Sequence, residues 1–175
     1  MTRTATVVSS TSANRPAPAD GLLNPVALAA VLLLVVNDHF LKAQWPGTVT
    51  GKLSDFAGLA FFPLVLLGFW EVALALARRW SGPRLRTLVA ATTLTAVAFI
   101  AVKTTAAGAS AFGLVLAFGQ WLPAALGGVV TGRAAAMGAA APVAQDPTDL
   151  VALPALLVAL FIGRRRLARG DGPEA

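Results

Sequence analysis

The chain has 175 residues, of which 57% are hydrophobic and 13% are charged, and its formal net charge is +6. A soluble domain of this size cannot bury so much apolar surface, because a small domain leaves about a third of its chain surface exposed. The composition therefore predicts an integral membrane protein, with lipid surrounding the long apolar segments. Ten of the fourteen basic residues flank those segments or lie in the tails, as topology signals do, so nucleic-acid binding is not expected.

The residue counts also limit the chemistry. The chain has no cysteine, which excludes disulfides and thiolate metal sites, and its single histidine, His39, excludes sites built from several histidines. We therefore assign no metal site. No pattern in the sequence points to a particular cofactor or oligomeric state.

Three regions follow from the distribution of polar residues. Residues 1–21 are rich in Ser, Thr, Pro and Ala without periodicity, which predicts a disordered tail. The membrane domain covers residues 22–163, and a basic tail covers residues 164–175. Within the membrane domain the apolar segments predict four transmembrane helices, at about residues 25–41, 55–77, 86–105 and 147–163.

The apolar stretch 111–131 is long enough to span a membrane, but Gln120, Pro123 and several glycines interrupt it. With four spans and both termini in the cytoplasm, ten basic residues lie inside and four outside, whereas a fifth span gives seven on each side. The positive-inside rule therefore favours four spans. Residues 111–131 then form an additional interfacial or re-entrant helix on the outer side.

These observations together predict an all-α polytopic membrane bundle. Its four transmembrane helices cross the plasma (inner) membrane of a bacterium, and both the N-terminus and the C-terminus are cytoplasmic. The lipid bilayer is the partner that the composition implies.

This topology places polar residues at the outer end of every span. Helix capping explains part of the pattern, because helix N-termini favour anions and C-termini favour cations. It does not explain Asp38 at a helix C-terminus, or Lys103 at bilayer depth, where an unpaired charge is costly. We therefore predict an extracytoplasmic ligand-binding site formed by Asn37, Asp38, His39, Lys52, Asp55, Lys103, Asp146 and Asp149.

The residue types in this cluster suit a lipid headgroup or a small anionic ligand, because the lysines oppose a bound cation. We expect Lys103 to pair with Asp38 or Asp55. Two alternatives stay open: a membrane-embedded enzyme acting on a lipid or cell-envelope substrate with His39 as acid or base, and a subunit of a proton- or ion-coupled transporter. Glu71, inside the second span, is expected to pair with arginines of the following turn, Arg78 or Arg79.

Two segments carry a family resemblance. GKLSDFAGL, followed by an apolar span, and DPTDLVALP, which opens a later one, resemble a family of small uncharacterised bacterial polytopic membrane proteins. A fainter similarity to the VanZ-like proteins rests on acidic and basic residues at span ends. The first resemblance covers residues 25–163. It implies a polytopic helical fold and carries no enzymatic role.

Overall fold

A computed structural model describes residues 16–132, 136, 138–140 and 142–170. The described residues are predominantly helical and contain no β-strand, as predicted for an all-α protein. The helices, in chain order, are α1 (Pro25–Val36), α2 (Lys42–Gln44), α3 (Thr48–Leu76), α4 (Leu85–Thr104), α5 (Ala106–Thr131) and α6 (Leu156–Gly170). A π-helical turn, Asn37–Leu41, joins α1 to α2 without a break.

Four helical segments are long and apolar enough to cross a membrane: Pro25–Gln44, Thr48–Leu76, Leu85–Thr104 and Ala106–Gly128. The chain therefore has the architecture of a multi-pass membrane protein. The first three segments correspond to predicted spans, although α3 begins seven residues before the expected start at residue 55. The fourth is α5, which overlaps the stretch predicted to be interfacial or re-entrant.

The predicted last span, at about residues 147–163, is divided between two helix types. A 3-10 helix, Pro147–Ala155, leads directly into α6. Pro154 lies inside the 3-10 segment and has no N–H to donate, so it cannot contribute the hydrogen bond that an α-helix requires there. α6 then continues to Gly170 through the basic segment that the sequence predicted as a tail.

Helix α3 is at the centre of the bundle and packs against α1, α4, α6 and the 3-10 helix. Its buried side chains Leu59, Leu64 and Leu67 belong to three successive apolar clusters. The 3-10 helix and α6 present small buried residues to this core, Ala152, Ala155 and Ala159. Small residues let helix backbones approach closely, which matters because lipid gives no hydrophobic drive for helices to associate.

The N-terminal segment is more ordered than predicted. Within the stretch 1–21 that was predicted to be a disordered tail, residues 16–21 are described and make specific contacts, whereas residues 1–15 lie outside the described part of the chain. A short 3-10 turn, Asp20–Leu23, precedes α1, and Asn24 caps α1 by accepting the N–H of Val26. The segment is held by polar contacts to α3 and α6, which are given below.

Helix α5 packs against α4 through small residues. Ala109, Gly113 and Ala117 are buried at four-residue spacing on one face, while large apolar side chains such as Leu114 and Phe118 are exposed. At the junction, a Cβ atom on Gly108 would overlap the backbone carbonyl of Ala101. The close approach of α5 to α4 therefore depends on glycine at this position.

Replacing Gly108 by alanine should lower the thermal stability of the purified protein, because a backbone carbonyl cannot move aside as a flexible side chain can. Overpacking of this kind costs about 1–3 kcal/mol. The matched control is Gly119→Ala in the same helix, where a Cβ atom meets nothing within 4 Å. The control should be neutral or stabilising, since alanine is the better helix former by about 1 kcal/mol. Equal melting temperatures for the two variants would contradict this packing.

Candidate functional site

The ends of three helices meet at the ammonium group of Lys103. Its Nζ atom donates to Asp55 Oδ2 at 2.9 Å and to Asp149 Oδ2 at 2.7 Å. Lys103 ends α4, Asp55 lies in the second turn of α3, and Asp149 lies in the first turn of the 3-10 helix. The exposed fractions of these side chains are 14%, 18% and 12%. The expected pairing of Lys103 with Asp55 is confirmed, and Asp149 is a second carboxylate partner.

A second lysine completes this arrangement. Lys52 Nζ donates to Asp149 Oδ1 at 2.9 Å and to Thr148 Oγ1 at 2.7 Å. Both oxygens of Asp149 are therefore bound, one to each lysine. We call Lys52, Asp55, Lys103 and Asp149 the bridging network. It contains two positive and two negative charges, so its groups neutralise one another.

The π-helical turn that follows α1 is joined to α3 by hydrogen bonds from an amide and a hydroxyl group. Asn37 is fully buried, and its Nδ2 donates to Ser54 Oγ and to the carbonyl oxygen of Thr50, both at 2.6 Å. Ser54 in turn donates to Asp38 Oδ1 at 2.6 Å, and Lys42 pairs with the same oxygen at 2.6 Å. The Asn37 Oδ1 atom is buried and has no partner among the described residues.

This junction lies where α1 changes from α-helical to π-helical geometry. Isolated π turns of this kind occur frequently at functional sites. Asn37 and Asp38 are adjacent in the turn and both contact Ser54, which directly precedes Asp55 of the bridging network. The turn therefore connects α1 to the network through a serine.

Four of the eight predicted residues form the bridging network, and Asn37 and Asp38 are connected to it only through Ser54. The side chains of the remaining two, His39 and Asp146, have no described hydrogen bond to any other predicted residue. His39 is exposed, and its Nδ1 donates to the carbonyl oxygen of Val35 at 3.0 Å, on its own helix. Asp146 accepts the hydroxyl of Thr148 at 2.7 Å and its N–H at 2.9 Å. These bonds lower the pKa of Asp146, with the hydroxyl as the larger cause. Asp146 is a helix cap, as its position before Pro147 indicated.

A cavity of about 230 Å³ lies beside the bridging network, between α3 and α4. Its polar part is formed by Ser54, Asp55 and Lys103, with Thr95 deeper in the wall. Phe112 of α5 and Val143, from the segment that follows α5, complete the enclosure. The other lining residues are apolar or glycine: Gly58, Leu59, Phe62, Ala98, Phe99 and Val102.

The opposite end of the bundle has its own buried ion pair, which the sequence did not indicate. Arg166 donates through Nη1 to Glu71 Oε1 at 3.2 Å and through Nη2 to Oε2 at 3.0 Å. The exposed fractions are 2% and 4%. The expected pairing of Glu71 with Arg78 or Arg79 is thus wrong, because α6 places a guanidinium beside Glu71 inside the bundle.

The same ion pair holds the N-terminal segment. Arg166 pairs with Asp20 and donates to the carbonyl oxygen of Ala17 at 3.1 Å. The N–H of Ala19 donates to Glu71 Oε2 at 2.8 Å. Ala19 has a φ of 63°, a left-handed conformation that is unfavourable for alanine. These contacts compensate for that conformation and fix the chain before α1.

The spacing of the apolar residues before Arg166 could have indicated that this side chain is buried, although a count of charges does not reveal it. The buried residues Ala152, Ala155, Ala159, Ile162 and Arg166 follow one another at spacings of three and four. Arg166 therefore continues the buried face of α6, whereas its neighbours in the basic run lie on other faces. Ser54 and Thr148 were also missing from the predicted site; both lie within two residues of a predicted carboxylate.

Comparisons with known proteins give no identity to this arrangement. The chain matches no family model, no curated protein and no solved structure.

A double-mutant cycle on Lys103→Met and Asp55→Asn tests the bridging network. We expect each single variant to destabilise the protein, and the double variant to be less destabilised than the sum. The coupling free energy should be at least about 1 kcal/mol, as for groups in direct contact in one network. The measurement is the free energy of unfolding in mixed detergent micelles.

The matched control for this cycle is Lys42→Met with Asp38→Asn. That pair is at four-residue spacing within one helical segment, and its side chains are 40% and 39% exposed. Its coupling should be no more than about 0.5 kcal/mol. Equal coupling energies for the two pairs would show that the bridging network has no special role in the fold.

Proposed function

We propose that this multi-pass membrane protein binds a lipid-like amphiphile, with an apolar chain in the cavity and a polar headgroup at Ser54, Asp55 and Lys103. The observation that carries the proposal is the composition of the cavity wall. Its lining is apolar except at one edge, where a charged pair and a hydroxyl lie together, and at Thr95, whose hydroxyl donates to the carbonyl oxygen of Ala91. Small-molecule sites typically combine an apolar lining with a few polar groups in this way.

The size and position of the cavity favour part of a lipid over a compact soluble molecule. Ligand pockets commonly enclose about 300–1,000 Å³, and this cavity, at about 230 Å³, is slightly smaller. It lies between α3 and α4, two helices suited to crossing a membrane. A chain segment of an amphiphile would fill it while the rest of the molecule stays in the bilayer.

The charge balance favours a neutral or zwitterionic headgroup over the small anionic ligand expected from the sequence. Both lysines of the bridging network are paired with carboxylates in the described structure. An anion would have to displace a carboxylate from Lys103 and leave it unpaired and poorly solvated, which is costly. Hydroxyl, amide or zwitterionic groups can bind to the unused lone pairs and donors without breaking an ion pair.

No observation favours the enzymatic alternative to the same degree. His39, which was the expected acid or base, is exposed on the π turn and is not among the residues that line the cavity.

The position of the charges does not favour the transporter alternative. The charges of the bridging network lie at one end of the bundle. A transporter site would more typically lie near the middle of the membrane.

The contact between Lys103 and Asp149 supports the interfacial or re-entrant assignment of α5. Because these residues touch, the chain between them leaves and returns to the same end of the bundle. If α5 crossed the bilayer, the chain between its end and Pro147, whose described residues form no helix, would have to cross back. Non-helical backbone cannot hydrogen-bond to lipid, so such a crossing is strongly unfavourable. We therefore propose that α5 lies at the outer side, the side to which the charge count assigns the bridging network.

Filling the cavity provides a test of ligand binding. Gly58 lines the cavity, and a Cβ atom there meets nothing within 4 Å. Gly58→Leu should therefore occupy the space without straining the fold and remove a lipid retained by the purified protein, as measured by native mass spectrometry. The control, Gly51→Leu, lies on the same helix outside the cavity lining and should keep the lipid. Equal retention by both variants would contradict the proposed site.

Cysteine labelling tests the placement of α5, since the natural chain has no cysteine. Ala136→Cys, beyond the end of α5, should react with a membrane-impermeant thiol reagent in intact cells. Gly47→Cys is the outer reference and should also react, while Ser81→Cys, in the turn between α3 and α4, should be protected. If Ala136→Cys is protected as Ser81→Cys is, then α5 crosses the membrane and the placement is wrong.

A further inference from the structure

A groove that is separate from the cavity described above lies along one face of α6, at the end of the bundle opposite the bridging network. It encloses about 450 Å³ and is lined by Leu157, Leu160, Phe161, Arg164, Arg165 and Ala168. These positions recur at intervals of three and four residues, so they share one helix face. The three large apolar residues come first along the helix, and the two arginines follow nearer its C-terminus.

The arginines of this groove are available to an external anion. Both are exposed, and no carboxylate among the described residues pairs with either of them. The two described carboxylates at this end, Asp20 and Glu71, are both engaged by Arg166. The guanidinium of Arg165 lies over the ring of Phe161, 4.2 Å from its centroid. This stacking fixes the charge beside the apolar part of the groove.

Further arginines lie at the same end of the bundle and increase its positive potential. Of the eight arginines that the structure describes, Arg166 alone pairs with a described carboxylate. The others at this end follow α3, begin α4 or end α6: Arg78, Arg79, Arg84, Arg86 and Arg169. A surface of this kind attracts anionic lipid, at about 1 kcal/mol for each arginine near the bilayer.

We propose that the groove on α6 binds an anionic phospholipid. Its phosphate contacts Arg164 and Arg165, and an acyl chain lies against Leu157, Leu160 and Phe161. Two observations point to this occupant: neither arginine pairs with a described carboxylate, and the apolar residues of the groove directly precede the arginines on the same helix face. Arginine forms bidentate hydrogen bonds with phosphate, so two adjacent guanidinium groups suit one headgroup. The site is separate from the cavity and does not depend on the function proposed for it.

The test compares phosphatidylglycerol with phosphatidylcholine of identical acyl chains, each titrated into the full-length protein in neutral detergent and followed by native mass spectrometry. The unmodified protein should retain phosphatidylglycerol in preference. The double variant R164Q/R165Q should reduce this preference by about fivefold for each arginine removed. The preference should also weaken as the salt concentration rises.

The matched control removes equal charge from the same end of the protein but outside the groove. R84Q/R86Q should weaken the preference for phosphatidylglycerol clearly less than R164Q/R165Q does, because neither residue lines the groove. Equal retention of the two lipids by the unmodified protein would overturn the proposal. The same loss in both double variants would overturn it as well, because the attraction would then come from overall surface charge.

Discussion

The position of one ammonium group constrains most of this structure. Lys103 binds carboxylates from two other helical segments, Asp55 of α3 and Asp149 of the 3-10 helix, at 2.9 Å and 2.7 Å. Removing one member of a buried pair leaves an uncompensated charge, which costs about 3–5 kcal/mol when burial is complete. α4, α3 and the 3-10 helix must therefore end or begin at the same level. The cavity lies beside this meeting point, and the proposed placement of α5 rests on the same alignment.

Two groups of polar contacts connect the helices, one near each end of the bundle. Along α3, Asp55 belongs to the bridging network and Glu71 to the ion pair with Arg166. Their separation of sixteen positions corresponds to about 24 Å of helix, which is somewhat less than the hydrocarbon thickness of about 30 Å. Between these two groups the helices meet through alanines and leucines. Because lipid gives no hydrophobic drive for helices to associate, specific polar contacts and close backbone packing determine which helices are neighbours.

How far the sequence could predict this structure depended on the type of signal. Apolar runs identified α1, α3 and α4, and the cost of a charge at bilayer depth correctly predicted that Lys103 is paired. The last helix was harder, because the segment Pro147–Ala155, which contains Pro154, is a 3-10 helix and the α-helix covers only Leu156–Gly170. The role of Arg166 was hidden by its basic neighbours. A run of basic residues after an apolar segment is normally interpreted as a topology signal. The buried position of Arg166 becomes evident only when the three- and four-residue spacing of the buried face is continued beyond the end of the apolar segment.

The site, like the fold, was predicted from the sequence only in part. Helix ends in an alternating bundle predicted that residues from different spans would meet, and Lys52, Asp55, Lys103 and Asp149 do so. The rotation of each helix decides which polar residue turns inward, and hydropathy carries little information about rotation. Asn37 is therefore buried while His39, two residues later, is exposed. The cavity could not be predicted from the sequence, because its wall includes Phe112 of α5 and Val143 of the non-helical stretch near Pro147. Hydropathy does not indicate that these two residues pack against α3 and α4.

The central claim is that the Lys103 ammonium joins Asp55 and Asp149, and solid-state NMR can measure it directly in lipid. The chain has only three lysines and six aspartates, so labelling lysine Nζ with ¹⁵N and aspartate Cγ with ¹³C gives few dipolar contacts. Lys103→Arg identifies the signal of Lys103 by its loss. The structure predicts that this nitrogen lies within about 4 Å of two carboxyl carbons, as direct charge-assisted hydrogen bonds require. A Lys103 signal coupled to no carboxyl carbon, or to one alone, would contradict the account.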